Sequence, residues 1–240
     1  MTAIYAIGDI HGQREMLHQA LALIEADGGP DARIVFLGDL VDRGPDSAGV
    51  IEDLHKGLAA GRDWTVLLGN HDRMFRRFLE SGTLHDARIL SGKGWLHPAL
   101  GGPMTLTSYG VEAEEGRPLD DVLAEARANV PQDHRAFLDA LKPMHREPGL
   151  IFVHAGLKPG VPVEAQDEDD LIWIRDEFHK WTKPFEALVV HGHTPVETPM
   201  FHGNRVNLDT GAGYGKPLSV GVFDGGEVYV LSQLGRALIS

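Results

Sequence analysis

The sequence predicts an α/β fold of α+β character, with two packed mixed β-sheets flanked by helices, and three observations carry that expectation. Short apolar runs rich in Val, Ile and Leu recur before glycine or polar turns. Helical periodicity fills the gap between the first two runs. The C-terminal part reads as antiparallel strands around a tight turn.

The first run, Ile4–Ile7, leads into residues 13–27, where Leu17, Leu21 and Ile24 fall at helical spacing before the terminating Gly28-Gly29-Pro30. Residues 34–37 form the second run, which completes a βαβ unit. Residues 46–58, with Val50, Ile51 and Leu54 on one face, supply a helix leading to a third run at 65–68. From about 74 to 147 the strand signal fades. Helical stretches at Leu119–Asn129 and 133–141 appear there between turns such as Gly101-Gly102-Pro103, and a largely helical insert or cap is expected. Runs at Leu150–Val153 and 187–190 follow, and both read as buried strands. Residues 205–208, 218–223 and 228–231 complete the pattern, with Asp224-Gly225-Gly226 as the turn between the last two. A single domain over residues 1–240 is expected. The acidic run 167–170 reads as a solvated loop rather than a metal site.

The side-chain charges, 22 basic against 35 acidic, leave a net −13, which argues against a nucleic-acid polymer as partner because such binders carry basic surfaces. The absence of cysteine excludes disulfides, thiolate metal sites and cysteine nucleophiles. No apolar run approaches the ~18 to 20 residues that cross a bilayer, and the N-terminus lacks a signal-peptide pattern. A cytoplasmic location without membrane contact is the expectation. Oligomeric state is left open.

Chemistry enters where the runs end, because each of the five runs at Ile4–Ile7, 34–37, 65–68, Leu150–Val153 and 187–190 is followed within two residues by a metal-ligand type. Gly8-Asp9-Ile10-His11-Gly12 follows the first and Gly38-Asp39-Leu40-Val41-Asp42-Arg43-Gly44 the second. Gly69-Asn70-His71-Asp72, His154-Ala155-Gly156 and His191-Gly192-His193-Thr194 follow the others. The crevice outside the carboxyl ends of sheet strands collects loops from distant positions, so these groups are expected to converge. Carboxylate, imidazole and amide donors without sulfur suit manganese, iron, zinc or similar dications.

The motifs GDIHG, GDLVDRG, GNHD, VHAG and HGHTP span residues 8 to 195 and resemble those of the phosphoprotein phosphatase family of calcineurin-like metallophosphoesterases. The resemblance includes the bacterial serine/threonine phosphatases and diadenosine tetraphosphatases. Arg43 and Pro195 distinguish this pattern from that of the broader phosphodiesterases. GNHD stands where GNHE is commoner, and Leu40 where an aromatic is frequent, and neither change removes a ligand. The resemblance implies a single metallophosphoesterase domain with two divalent ions, expected to be manganese, with iron, zinc, nickel or cobalt as alternatives. Asp9 and His11 would hold one ion and Asn70, His154 and His193 the other, with Asp39 bridging. Two such ions share a hydroxide that attacks phosphorus in line. His71, fixed by Asp42, would protonate the leaving oxygen, and Arg43 and Arg175 would grip phosphate oxygens.

Plainer readings stand beside these. Asp42 could instead cap a helix start, and Arg175 could pair with Asp176 or Glu177. His191 is set aside as a ligand, and His18, His55, His97 and His179 are expected on surfaces or in hydrogen bonds. Residues 211–217 match neither a dinucleotide fingerprint nor a P-loop, although the resembling family has a substrate-facing loop there. Trp95, Tyr109 and Trp181 could stack a base, but packing is the commoner use of such aromatics. The leading expectation is hydrolysis of phosphomonoesters, including phosphoserine and phosphothreonine on proteins. The alternatives are symmetrical cleavage of dinucleoside polyphosphates such as diadenosine tetraphosphate, and a metal-binding interaction domain without catalysis.

Overall fold

The computed structural model describes residues 3–113 and 116–239. Chain order begins with β1 (Ile4–Ile7), α1 (Arg14–Gly28), β2 (Arg33–Phe36), α2 (Ser47–Ala59), β3 (Trp64–Val66) and α3 (Asn70–Ser81). The middle holds α4 (Gly102–Ser108), α5 (Leu119–Asn129), α6 (Gln132–Asp139), β4 (Met144–Glu147), β5 (Leu150–Val153), α7 (Glu168–Trp173) and α8 (Asp176–His179). It closes with β6 (Leu188–His191), β7 (Met200–Phe201), β8 (Arg205–Asn207), β9 (Val220–Asp224), β10 (Glu227–Ser232) and β11 (Gly235–Leu238).

These strands form two mixed sheets, in the orders β11-β10-β9-β1-β2-β3 and β4-β5-β6-β8-β7. In the first sheet β1, β2 and β3 are parallel and β9 runs antiparallel to β1. In the second, β5, β6 and β8 are parallel, with β4 and β7 antiparallel at the two edges. The pleat explains the continuous apolar runs: Ile4, Ala6, Val35 and Leu37 meet Phe152, Val190 and Val206 between the sheets. Their neighbours Tyr5, Ile7, Ile34 and Phe36 join the core on the helix side. A strand covered on both faces has no reason to alternate.

The helix caps follow local chemistry. Asp46 caps α2 by accepting from the Gly49 amide at 2.8 Å. α1 buries Leu17, Ala20 and Ile24, with Leu21 half-buried beside them.

Five elements differ from what the sequence predicts. α3 begins at Asn70 rather than after the metal-ligand turn, and its Met74, Phe75, Phe78 and Leu79 form a buried stripe at helical spacing. The segment from 74 to 147 contains α4, α5 and α6, but its last residues are β4, an edge strand of the second sheet paired with β5. The acidic run 167–170 is not a loop. Asp167 caps α7 by accepting from the Asp169 amide at 2.8 Å, while Asp169 pairs with Arg73 and Asp170 with Arg88. The short edge strands β7 and β11 lie outside the apolar runs altogether. No helix among the described residues is long and apolar enough to cross a membrane.

Candidate metal centre

The carboxyl ends of β1, β2, β5 and β6 and the turn after β3 lead to the ligand-type residues, and both parallel strand sets aim at one crevice. Asp9, His11, Asp39, Asn70, His71, His154 and His193 are all buried there. The ligand atoms of His11, Asp39 and His71 lie within 4.8 Å of one another, and so do those of Asp39, His154 and His193. Asp39 thus belongs to both groups. His11 Nε2 lies 3.5 Å from Asp39 Oδ2, and His154 Nε2 lies 3.4 Å from Asp39 Oδ1. Asn70 Oδ1 is 3.0 Å from His154 Nε2. Asp9 stands outside the two tight groups: both its oxygens accept from the His193 amide, at 3.2 and 3.0 Å.

The donor chemistry fits divalent cations. His11 Nδ1 donates to the Val41 carbonyl at 2.8 Å and His154 Nδ1 to that of Leu37 at 2.9 Å, which turns the Nε2 lone pair of each towards the site. His193 Nε2 is buried with no hydrogen-bond partner in the protein. Burial holds the imidazoles of His11, His154 and His193 below the ordinary histidine range, so they remain neutral donors. The carboxylates show the complementary stress. Burial pushes Asp9 well above its usual value, with Asp209 and Asp39 adding to the shift. Burial also raises Asp209, to about 6, and Asp39 contributes. Three acids crowded in one buried pocket call for cationic charge. Arg43 supplies some of it: Nη1 meets His11 Nε2, and Nη2 lies 3.0 Å from His71 Nε2.

His71 Nδ1 donates to Asp42 Oδ2 at 2.6 Å. Asp42 is fully buried and does not cap a helix. Its Oδ2 also accepts from Trp95 Nε1 at 2.8 Å, and its Oδ1 accepts from Thr105 Oγ1 at 2.7 Å. The Asp42 amide donates to Ser47 Oγ at 3.1 Å and to Thr105 Oγ1 at 2.8 Å. Trp95 is therefore more than packing. It stacks on Phe75 at 5.4 Å and reaches the acid beside His71 with its ring N–H.

The backbone carries further marks of a functional site. Among the described residues, the non-glycine positions with positive φ are His11, Asp39, Asp42, Arg43 and His193. Such conformations cost of order 1 kcal/mol or more and persist where the surroundings over-determine them. Close approach also demands glycine: a methyl on Gly69 would overlap the amide and carboxylate of Asp39, and one on Gly192 would overlap Asp9. Asp72 holds the turn from the inside, accepting from the amides of Leu40 and Gly69 at 2.9 Å each. Burial raises its carboxyl to about 8, with Asp39 adding to the effect.

The site opens into a cavity of about 700 Å³ whose lining includes His11, Asp39, Arg43, His71, Arg175 and His193. Arg175 pairs with neither Asp176 nor Glu177; it donates to Thr194 Oγ1 at 3.0 Å, and Asp176 pairs with Lys180 instead. Tyr214, from the 211–217 loop, lies under the Arg43 guanidinium with 4.8 Å between Cζ and the ring centroid. The rim adds residues that the sequence reading did not single out, including Asp209, Arg88 and Leu90. Asp209 had a weak sequence signal, an isolated acid just after an apolar run. Arg88 and Leu90 had none. His191 joins neither ligand group and packs edge-on against Phe178 at 5.0 Å. Trp181 donates no hydrogen bond to the site, and Tyr109 binds His134 Nδ1 through its hydroxyl at 2.9 Å.

The profile of the calcineurin-like phosphoesterases matches residues 2–209. The chain is 31% identical over 230 residues to the bis(5'-nucleosyl)-tetraphosphatase PrpE [asymmetrical] of Geobacillus thermodenitrificans, covering 89% of this chain and 87% of that one. It is 27% identical over 239 residues to the protein of the same name from Bacillus thuringiensis, with the same coverage. A crystal structure described as a "putative diadenosine tetraphosphatase" superposes with a TM-score of 0.67 at 25% identity, covering 96% of this chain and 93% of that one. The cold-active protein-tyrosine phosphatase of a Shewanella species shares the fold at 15% identity, with a TM-score of 0.65 over 100% of this chain and 81% of that one. The chain belongs to the calcineurin-like phosphoesterases and is a metal-dependent hydrolase of phosphoric esters.

Proposed function

We propose that this enzyme hydrolyses dinucleoside polyphosphates of the diadenosine tetraphosphate kind, cleaving them asymmetrically to a nucleoside triphosphate and a nucleoside monophosphate. The observation that carries this reading is the cavity. At about 700 Å³ it exceeds what one phosphoryl group fills, and it lines Arg43, Arg88 and Arg175 along a single crevice with the ligand groups. The names of the relatives support the same substrate class. Sequence alone ranks phosphorylated protein first, and the cavity and the relatives favour the opposite order.

In this reading Asp9 and His11 would hold one divalent ion and Asn70, His154 and His193 the other, with Asp39, which belongs to both ligand groups, between them. The sulfur-free donor set suits manganese. The ions supply Lewis acidity to the phosphoryl oxygens and to the attacking water. The protein's own groups do the rest. Arg43 and Arg175 orient the scissile phosphoryl group and balance its charge, because a guanidinium grips two oxygens at once and stays protonated at every working pH. His71 protonates the departing phosphate oxygen through Nε2, with Asp42 holding Nδ1 and the ring orientation. Trp95 and Thr105 fix Asp42 in turn.

A second reading, phosphoserine or phosphothreonine on proteins, is favoured by the exposed rim. Leu90 is 98% and Tyr214 63% exposed, so the mouth is open to a chain segment. Parallel turnover of manganese-loaded enzyme on diadenosine tetraphosphate and on phosphopeptides separates the two. The proposal predicts a larger kcat/KM for the dinucleotide, with ATP and AMP as products. Two ADP molecules would contradict the asymmetric cleavage, and faster phosphopeptide turnover would favour the second reading.

A further inference from the structure

Arg88 projects from the segment between α3 and α4 into the same cavity as Arg43 and Arg175. Its base is fixed. The Arg88 amide donates to Asp86 Oδ1 at 3.0 Å, and Asp86 Oδ2 is held by Arg73 Nη2 at 2.9 Å and Arg77 Nη1 at 3.0 Å. Its head is held loosely by contrast, by one contact of 3.1 Å from Nη2 to Asp170 Oδ1, and the side chain is 37% exposed. Asp170 at the other end is 12% exposed, so the looseness lies in the single contact and the half-exposed guanidinium.

Asp170 has another cation within reach, since Lys158 Nζ lies 3.5 Å from its other oxygen. Departure of Arg88 therefore leaves that carboxylate still paired. A fixed base, a loosely held head and a counter-ion with a spare partner describe a guanidinium that can change partners at little cost. Resting on the polyphosphate reading above, we propose that Arg88 is a specificity-determining residue that leaves Asp170 to bind phosphates beyond the one being hydrolysed. A monoester presents one phosphoryl group, which Arg43 and Arg175 already serve. A polyphosphate chain presents further charged oxygens along the cavity, and a guanidinium binds adjacent phosphate oxygens in a fork that a lysine cannot reproduce.

The test measures inhibition of para-nitrophenyl phosphate hydrolysis by inorganic phosphate and by inorganic tripolyphosphate, at saturating free manganese. The ratio of the two inhibition constants is the readout. In wild type, tripolyphosphate binds more tightly than phosphate. R88Q is expected to narrow that ratio about tenfold, the loss of one charge-assisted contact. D170N, which frees Arg88 without removing it, is expected to keep the ratio or widen it. The proposal is overturned if R88Q shifts both constants equally, or if D170N narrows the ratio as R88Q does, because the pair would then only hold the loop. Wild-type enzyme that ignores diadenosine tetraphosphate yet keeps the Arg88-dependent ratio would contradict the dinucleotide reading and leave the polyphosphate contact standing.

Discussion

At the residue scale, Asp42 and its partners fix the orientation of His71. If His71 is the general acid proposed above, His71→Asn should lower kcat by about 10² to 10⁴ while the bound-metal content stays that of wild type. A metal-replete variant with wild-type turnover would remove His71 from the chemistry. Trp95→Phe keeps the stack on Phe75 and deletes one hydrogen bond to Asp42 Oδ2, so kcat should fall roughly tenfold with little change in KM. If KM rises instead while kcat holds, Trp95 shapes the cavity and does not position Asp42. The residues that converge on the crevice are legible in sequence because each follows a strand within a few residues and glycine marks the turn. Trp95 and Thr105 were not, because their shared contact with Asp42 spans 53 and 63 residues of chain. Nor does any residue type announce a positive φ at His11, Asp39 or His193, since that conformation is imposed by the packed turn.

At the element scale, the strands with both faces buried were readable, and the edges were not. β1, β2, β5 and β6 carry unbroken apolar runs, whereas β4 has the sequence MHRE and β11 has GRAL, which resemble surface loops. α3 was hidden for a different reason. Its first turn is occupied by Asn70, His71 and Asp72, which read as chemistry, and the stripe from Met74 to Leu79 begins only afterwards. That helix is also tied down through charge. Arg73 is 1% exposed and meets Asp86 and Asp169, so Arg73→Met leaves the buried Asp86 with the half-exposed Arg77 and the Arg88 amide. Loss of a buried partner costs about 3 to 5 kcal/mol. Urea unfolding should show a midpoint shift of that size with the slope unchanged, and a change below about 1 kcal/mol would mean that the cluster is effectively solvated. For α2, Asp46→Ala should cost about 1 kcal/mol, read as a melting point lower by about 2 to 4 °C.

At the scale of the whole molecule, Arg236 ties the C-terminal edge of the first sheet to α1. It meets Asp27 of α1 at 2.8 Å and Asp224 at 2.8 Å, and donates to the Tyr5 hydroxyl at 3.1 Å. Hydrogen bonding from Arg236 holds the Asp27 carboxyl below its usual value. A depressed folded value contributes stability above the unfolded pKa, about 3.9, and that contribution disappears as pH falls through the folded value. Arg236→Gln should therefore lower the melting temperature more at pH 7 than at pH 3. An equal loss at both would mean that the contact is not ionic. The larger organising fact is that strands from both sheets deliver buried acids and neutral imidazoles to one crevice. The central claim is that this crevice holds two divalent ions joined by Asp39. Anomalous diffraction from manganese-loaded crystals tests it most directly. Two peaks ~3.5 to 4 Å apart on either side of Asp39 are expected, with Asp9 and His11 on one and Asn70, His154 and His193 on the other. A single peak, or His71 bound in place of Asp9, would contradict it.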